Sequence, residues 1–280
     1  MPTNFSTPSR RSFLQASLAT AATVGRLPAA SSPSPSGKKG IGMKLKNPKR
    51  LPSMQGLELD WLYNWGAKRP ELLPADIDFI PMIWGYWGKD DSIRRIAQAA
   101  KKAGIKELLG FNEPDGKRQA NLKVEKALKA WPVMMESGLR LGSPGCVHPD
   151  GDWMKEFMPA AKRKGFQVDF ICVHSYGEAN AKVFLNRMEK VHRLFKKPLW
   201  ITEFAVADWQ AKSPTQNRHK PVQILRFMEK VLPALEKLDY VEKYAWFPAG
   251  QKSNALGPSA LFDAKGDLTN LGKFYRDVSA

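Results

Sequence analysis

The chain has 280 residues, 43% hydrophobic and 25% charged, and its 44 Lys and Arg against 27 Asp and Glu give a net charge of +17. That length buries a full core and suits one α/β barrel or two smaller domains, with a composition ordinary for a soluble globular protein. The basic excess favours polyanions, yet the cations are scattered over AAKKAGIK (99–106), AAKRKG (160–165) and LFKKP (194–198), with no stripe of interleaved aromatics, which excludes nucleic acid as the partner.

The first segment reads as an address. Ser9-Arg10-Arg11-Ser12-Phe13-Leu14-Gln15 is a twin-arginine pattern, followed by an uncharged run at 16–25 and small residues at 29–32. The run is too short to span a bilayer and suits an export signal that is cut off near residue 31. Its removal takes Arg10, Arg11 and Arg26 and leaves +14. The expected organisation is a signal at 1–31, a Ser/Pro linker at 32–39 and a single domain at 40–280. The mature protein is expected in the periplasm or outside the cell, as a monomer without stable membrane insertion.

From residue 40 onward, short apolar runs alternate with helical patterns. The strands are expected at 40–45, 59–65, 77–84, 107–113, 140–146, 168–176, 199–204 and 241–247. Several are rich in Ile, Val, Phe and Trp with little alternation, as in strands covered on both faces. Between them, 91–103 repeats apolar residues at 93, 96, 97, 100 and 103, and 122–135, 153–161, 183–195 and 222–238 behave alike. Gly104 and Gly165 stand where a left-handed C-cap is cheapest. The first two connections are too short for full helices. Eight strands alternating with helices, and no glycine-rich phosphate loop, predict a (β/α)8 TIM barrel.

In such a barrel the active site lies at the carboxyl ends of the strands. Those ends carry Asn64 and Trp65, Trp84, Asn112 and Glu113, Ser143, His174 and Tyr176, Glu203, and Trp246. Glu113 ends the fourth strand and Glu203 the seventh, so both are expected in one mouth. Two carboxyls in an aromatic cleft are what glycoside hydrolysis requires: one protonates the leaving oxygen, the other meets the oxocarbenium-like carbon. Tryptophans suit the flat C–H faces of sugars, and amides the hydroxyls. Asn64, Asn112, Trp65, Trp84, His174, Tyr176 and Trp246 are therefore candidate substrate contacts, with Trp209 and Trp87 as loop anchors or outer platforms. Trp61 reads as core, and Asp115 as a brace for its loop. The four histidines and two cysteines lack the tight spacing of zinc ligands, so no metal and no organic cofactor is expected. Cys146 and Cys172 lie on neighbouring strands as a disulfide or as two buried thiols.

The pieces WLYNWG (61–66), FIPMIWG (79–85), LLGFNEPD (108–115), LGSPG (141–145), VDFICVHSYG (168–177), LWITEFAVADW (199–209), YAWFP (244–248) and LFDAKGDLTNLGKFY (261–275) resemble, in order, those of glycoside hydrolase family 128, β-1,3-glucanases of the clan A barrels. The resemblance covers about residues 40–276. It implies a retaining mechanism, with Glu113 as acid/base and Glu203 as nucleophile, acting on β-glucan, with internal cleavage expected. Many relatives carry a tryptophan where this chain has Ser175, which puts one aromatic contact in question. The rival readings are a glucan-binding surface protein on the same barrel, with its carboxylates misplaced or screened, and a hydrolase of another β-linked polysaccharide.

Overall fold

The computed structural model describes residues 36–45 and 51–278, together with Met1 and Pro48. Apart from Met1, the signal expected at 1–31 and the linker as far as Pro35 lie outside the described residues. The chain divides between Ser32 and Pro33, and the fold below belongs to the second unit.

The described residues form eight strands: β1 (Lys39–Gly42), β2 (Trp61–Tyr63), β3 (Asp78–Phe79), β4 (Glu107–Leu108), β5 (Arg140–Leu141), β6 (Ile171–Gly177), β7 (Leu199–Val206) and β8 (Val241–Trp246). Each falls on an expected run, though β3, β4 and β5 keep regular pairing over only two residues. Six strands pair in the order β3-β2-β1-β8-β7-β6, and β4 pairs with β5. Parallel bridges Met82–Leu109, Gly142–Phe170 and Cys146–Val173 join the remaining edges. Every neighbour in chain order is thus paired, β8 returns to β1, and the ring closes. Closure leaves no free sheet edge.

Helices α1 (Leu51–Gln55), α2 (Asp90–Lys102), α3 (Val124–Met135), α4 (Asp152–Arg163), α5 (Ala181–Phe195), α6 (Pro221–Lys237) and α7 (Asn270–Asp277) surround the ring. On α2 the 3.6-residue period buries Ile93, Ala97 and Ala100 while Asp90 and Asp91 open the helix and Lys101 and Lys102 close it, each matching the helix dipole. Gly104 and Gly165 take φ of +73° and +69° behind α2 and α4, the left-handed exit that their lack of a side chain permits. Between β2 and β3 no helix forms, and α1 is only five residues long, as the short connections implied. Helix α7 escaped the sequence reading, although Thr269 caps it by accepting from the Gly272 amide.

Two apolar layers result. The larger lies between ring and helices; the smaller fills the ring with Trp61, Tyr63, Ile80, Met82, Leu109, Phe170, Cys172 and Trp200. Phe170 stacks on Trp200 at 4.1 Å, and Trp200 meets Trp61 at 5.6 Å. Burying each such ring contributes about 1.5–3 kcal/mol. This plug makes the floor beneath the site, and Trp61 is core as expected. Cys172 points into the ring and Cys146 into the outer layer, so these neighbours face opposite ways and both thiols are free. Among the described residues no helix is long and apolar enough to cross a membrane.

Candidate active site

The upper ends of β4, β6 and β7 bring two carboxyls and one imidazole together. Inward positions recur every second residue on β6, so Cys172, His174 and Tyr176 climb one face. On β7 the count breaks: Cys172 pairs with Trp200, but His174 pairs with Glu203. Three residues on β7 answer two on β6. This bulge turns Glu203 inward, where unbroken alternation from Trp200 would have aimed Thr202 into the ring and Glu203 at the helices.

Three donors hold Glu203. Its Oε1 accepts from the Tyr63 hydroxyl at 3.0 Å and the Trp65 indole at 2.7 Å, and Oε2 from the Tyr176 hydroxyl at 2.5 Å. The Tyr63 hydroxyl also lies 3.0 Å from the Thr202 carbonyl, an alternative acceptor for the same proton. Burial first, and then the Glu203 charge, pushes both tyrosines well above the usual phenol range, so they stay neutral donors.

Glu113 is placed by strain as well as by contacts. Its φ is +42°, a region a non-glycine residue occupies only when its surroundings enforce it. The enforcing bonds are the Glu113 amide to the Gly145 carbonyl at 2.8 Å and the Gly116 amide to the Glu113 carbonyl at 2.9 Å. Trp65, on the opposite wall, has φ of +57°. Asp115 accepts from the Val147 and His148 amides and braces the loop, as its sequence position suggested.

Between the two glutamates sits His174, 1% exposed. Its Nδ1 lies 2.8 Å from Glu113 Oε1 and its Nε2 3.5 Å from Glu203 Oε1. Burial pulls its pKa down, but the Glu203 charge and the Glu113 hydrogen bond outweigh it, and the net shift is upward. One carboxyl oxygen of Glu113, one of Glu203 and a ring nitrogen all lie within 4.8 Å of one another. That proximity would also suit a cation. However, two ligands about 2.0–2.1 Å from a tetrahedral metal stand roughly 3.3 Å apart, so the Nδ1–Glu113 contact is a hydrogen bond rather than a shared metal.

A cleft of about 960 Å³ opens above this trio. Trp65, Trp84, Asn112, Glu113, Tyr176, Glu203 and Trp209 line it. Phe247 touches both Trp65 and Tyr176 edge-on, and Trp209 abuts Tyr176, making one continuous aromatic wall. Trp84 stacks on the exposed Trp87 at 6.0 Å and 11°. Asn112 donates to Gln119 at 3.3 Å, while its buried Oδ1 has no partner.

Three candidates are placed elsewhere. Trp246 is fully buried behind β8 against Phe204 and Phe227, with its indole bonded to the Ser259 carbonyl; Phe247, one residue on, faces the cleft instead. Asn64 bonds the Gly66 amide and the Lys68 carbonyl and braces a turn. His174 lies beneath the cleft wall and meets the carboxyls rather than the cleft. Tyr63 was missed, although the inward Trp61 two residues earlier was its signal. Ser175 is buried and absent from the cleft wall.

The glycosyl hydrolase catalytic core family model matches residues 40–275. No curated protein matches the chain. Among solved structures, a subgroup I endo-β-1,3-glucanase of glycoside hydrolase family 128 from Amycolatopsis mediterranei, in complex with laminaritriose, is 31% identical with a TM-score of 0.74, covering 85% of this chain and 98% of its own. A subgroup II endo-β-1,3-glucanase from Sorangium cellulosum is 28% identical with a TM-score of 0.71, covering 85% and 97%. A subgroup III curdlan-specific exo-β-1,3-glucanase from Blastomyces gilchristii, in complex with glucose, is 30% identical with a TM-score of 0.70, covering 87% and 99%. With two carboxyls poised at the mouth of a closed parallel barrel, and similarity running from the first strand to the last helix, the chain belongs to glycoside hydrolase family 128 and is a glycoside hydrolase.

Proposed function

We propose that this enzyme cleaves β-1,3-glucan internally and with retention. The observation that carries the reading is the pair of carboxyl oxygens within 4.8 Å in one cleft. Retaining enzymes hold their carboxyls about 5–5.5 Å apart, whereas inversion needs about 6.5–9.5 Å to admit a water. Glu203 attacks the anomeric carbon as Glu113 gives its proton to the leaving oxygen. Water, deprotonated by Glu113, then cleaves the glycosyl ester and frees Glu203. Three hydrogen bonds hold Glu203 aimed, and the unpartnered Asn112 Oδ1 is an acceptor for a sugar hydroxyl.

Relatives crystallised with laminari-oligosaccharides support the β-1,3 linkage. The endo reading rests on a cleft lined by aromatic rings, Trp84 and, packed together, Trp209 and Tyr176, and on the endo-acting relatives, although one relative is exo-acting. The carboxyls are neither misplaced nor screened, which weighs against a pure binding protein. Reducing-end release from laminarin should fall by about 10³-fold or more in Glu113→Gln and Glu203→Gln, with glucan binding kept. Turnover near wild type in both variants would end the proposal. Proton NMR of the first anomer released tests retention, and viscosity loss tests internal cleavage. Export through Arg10–Arg11 belongs to the same proposal; cell fractionation of wild type against Arg10→Lys/Arg11→Lys checks it.

A further inference from the structure

The mechanism above uses Glu113 and Glu203 and leaves His174 without a task, although it is the most enclosed polar group of the three. Its two nitrogens are split between the two glutamates. Nδ1 is bonded to Glu113, and Nε2 faces Glu203 at 3.5 Å with no hydrogen-bond partner. A buried imidazole nitrogen left without a partner is destabilising, so the arrangement is maintained against a penalty.

The surroundings fix the ring in this bridging place. A side-chain carbon at Gly145 would come within 2.8 Å of Nε2, too close for any residue but glycine unless the ring moves. The same Gly145 carbonyl takes the Glu113 amide. Gly145, past the end of β5, therefore leaves the space the imidazole occupies, while its carbonyl pins Glu113. The charged groups acting on the ring are Glu203 from β7, and Glu113 and Asp115 from the loop after β4, all acidic. The Tyr63 and Tyr176 phenols and the Cys146 and Cys172 thiols are pushed upward, burial first, and stay neutral.

Double displacement moves one negative charge back and forth across this ring. Before the first step Glu203 is the carboxylate and Glu113 carries the proton. Afterwards Glu203 is a neutral ester and Glu113, having given its proton to the leaving oxygen, is the carboxylate. The second step returns the charge to Glu203 as water is deprotonated by Glu113. The total stays at one negative charge and only its position changes.

We propose that His174 remains an imidazolium through both steps and is the positioning residue that balances this migrating charge, with Nδ1–H serving Glu113 and Nε2–H serving Glu203. The ring gives up no proton and touches no substrate. A single cation between the two sites steadies the carboxylate in each half of the cycle without reorganising. The inference rests on the retaining assignment of the two glutamates.

Two measurements test it. Nitrogen-15 NMR of the wild-type histidine rings should show His174 protonated on both nitrogens at pH 7 and up to the alkaline limb of activity. A neutral ring in that range overturns the proposal, and this reading needs no variant to fold. In His174→Gln, which keeps one donor and loses the charge, both limbs of the kcat/KM profile on laminarin should move to higher pH by about one unit, because a carboxyl without its cation ionises less readily. The rate at the wild-type optimum should drop about tenfold and be recovered in part at higher pH. A uniform loss with unmoved limbs means that the ring is only scaffolding, and the proposal fails. If Glu113→Gln and Glu203→Gln keep turnover, the hydrolase mechanism falls and takes this inference with it. If both are inactive and the ring is neutral, only the role of His174 falls.

Discussion

The two ends of the barrel carry similar chemistry in opposite states of completion. At the amino end Arg140 donates to both oxygens of Glu242 at 2.9 and 3.1 Å and lies 3.7 Å from Glu107. The Trp200 indole donates to the same Glu242 at 2.8 Å. Lys243 bonds the Gly37 carbonyl and sits 5.3 and 5.8 Å from the Trp200 and Trp61 rings, a cation–π arrangement. Each of these four charges has a partner. At the carboxyl end, Asn112 Oδ1 and His174 Nε2 have none, and Glu113 and Trp65 hold left-handed backbone angles. The charges at the floor are satisfied within the folded chain, whereas at the mouth the Asn112 Oδ1 is left open for a ligand. The buried Glu236 Oε2, by α6, also lacks a partner, and nothing in the structure explains it.

The comparison breaks most sharply if a change at the mouth costs stability while one at the floor costs rate. After the two glutamate variants, the largest effect is expected from Tyr176→Phe, which keeps the ring but removes one of three donors from Glu203. Steady-state kinetics on laminarin should show kcat/KM falling about 10²-fold, equivalent to about 2.7 kcal/mol, with the melting temperature nearly unchanged. A lowered melting temperature with intact kinetics would erase the distinction. Next is Arg140→Ala at the floor, which removes the cation that Glu242 and Glu107 share. Denaturant unfolding should show a loss of about 2 kcal/mol, less than for a fully buried pair because the arginine is partly exposed, with kcat unaltered.

The smallest effect sharpens the comparison at the rim. Asp150, after β5, meets Arg187 at 3.1 Å and Lys190 at 2.8 Å. Burial raises its pKa, but these two cations outweigh that and hold it at about 2, below the ordinary 3.8. A folded pKa below the unfolded one means stability that is present above pH 3.8 and lost as the pH falls through about 2. Asp150→Asn should therefore cost about 1 kcal/mol at pH 7, allowing for screening of the exposed lysine, and only a small part of that near pH 2. Equilibrium unfolding at the two pH values measures it. An equal cost at both would assign the loss to packing.

The sequence by itself determined the eight runs that became strands, the helices whose apolar period shows their buried face, and the two glutamates at strand ends. Each is written in local order, because burial on both faces demands continuous apolar runs and helix packing demands a 3.6-residue repeat. Which way a strand-end side chain points was decided only by the tertiary structure. Glu203 faces the cleft through a bulge set by the pairing of β7 with β6 and β8. Trp246 was expected in the mouth and lies behind the strand, while Phe247 took its place, since a shift of one residue reverses the face of a strand. His174 could be placed near the site but not between the carboxyls, because its depth depends on how closely Gly145 of the neighbouring strand approaches. Side-chain direction at a strand end depends on register against neighbours distant in the chain, and no local pattern encodes that register.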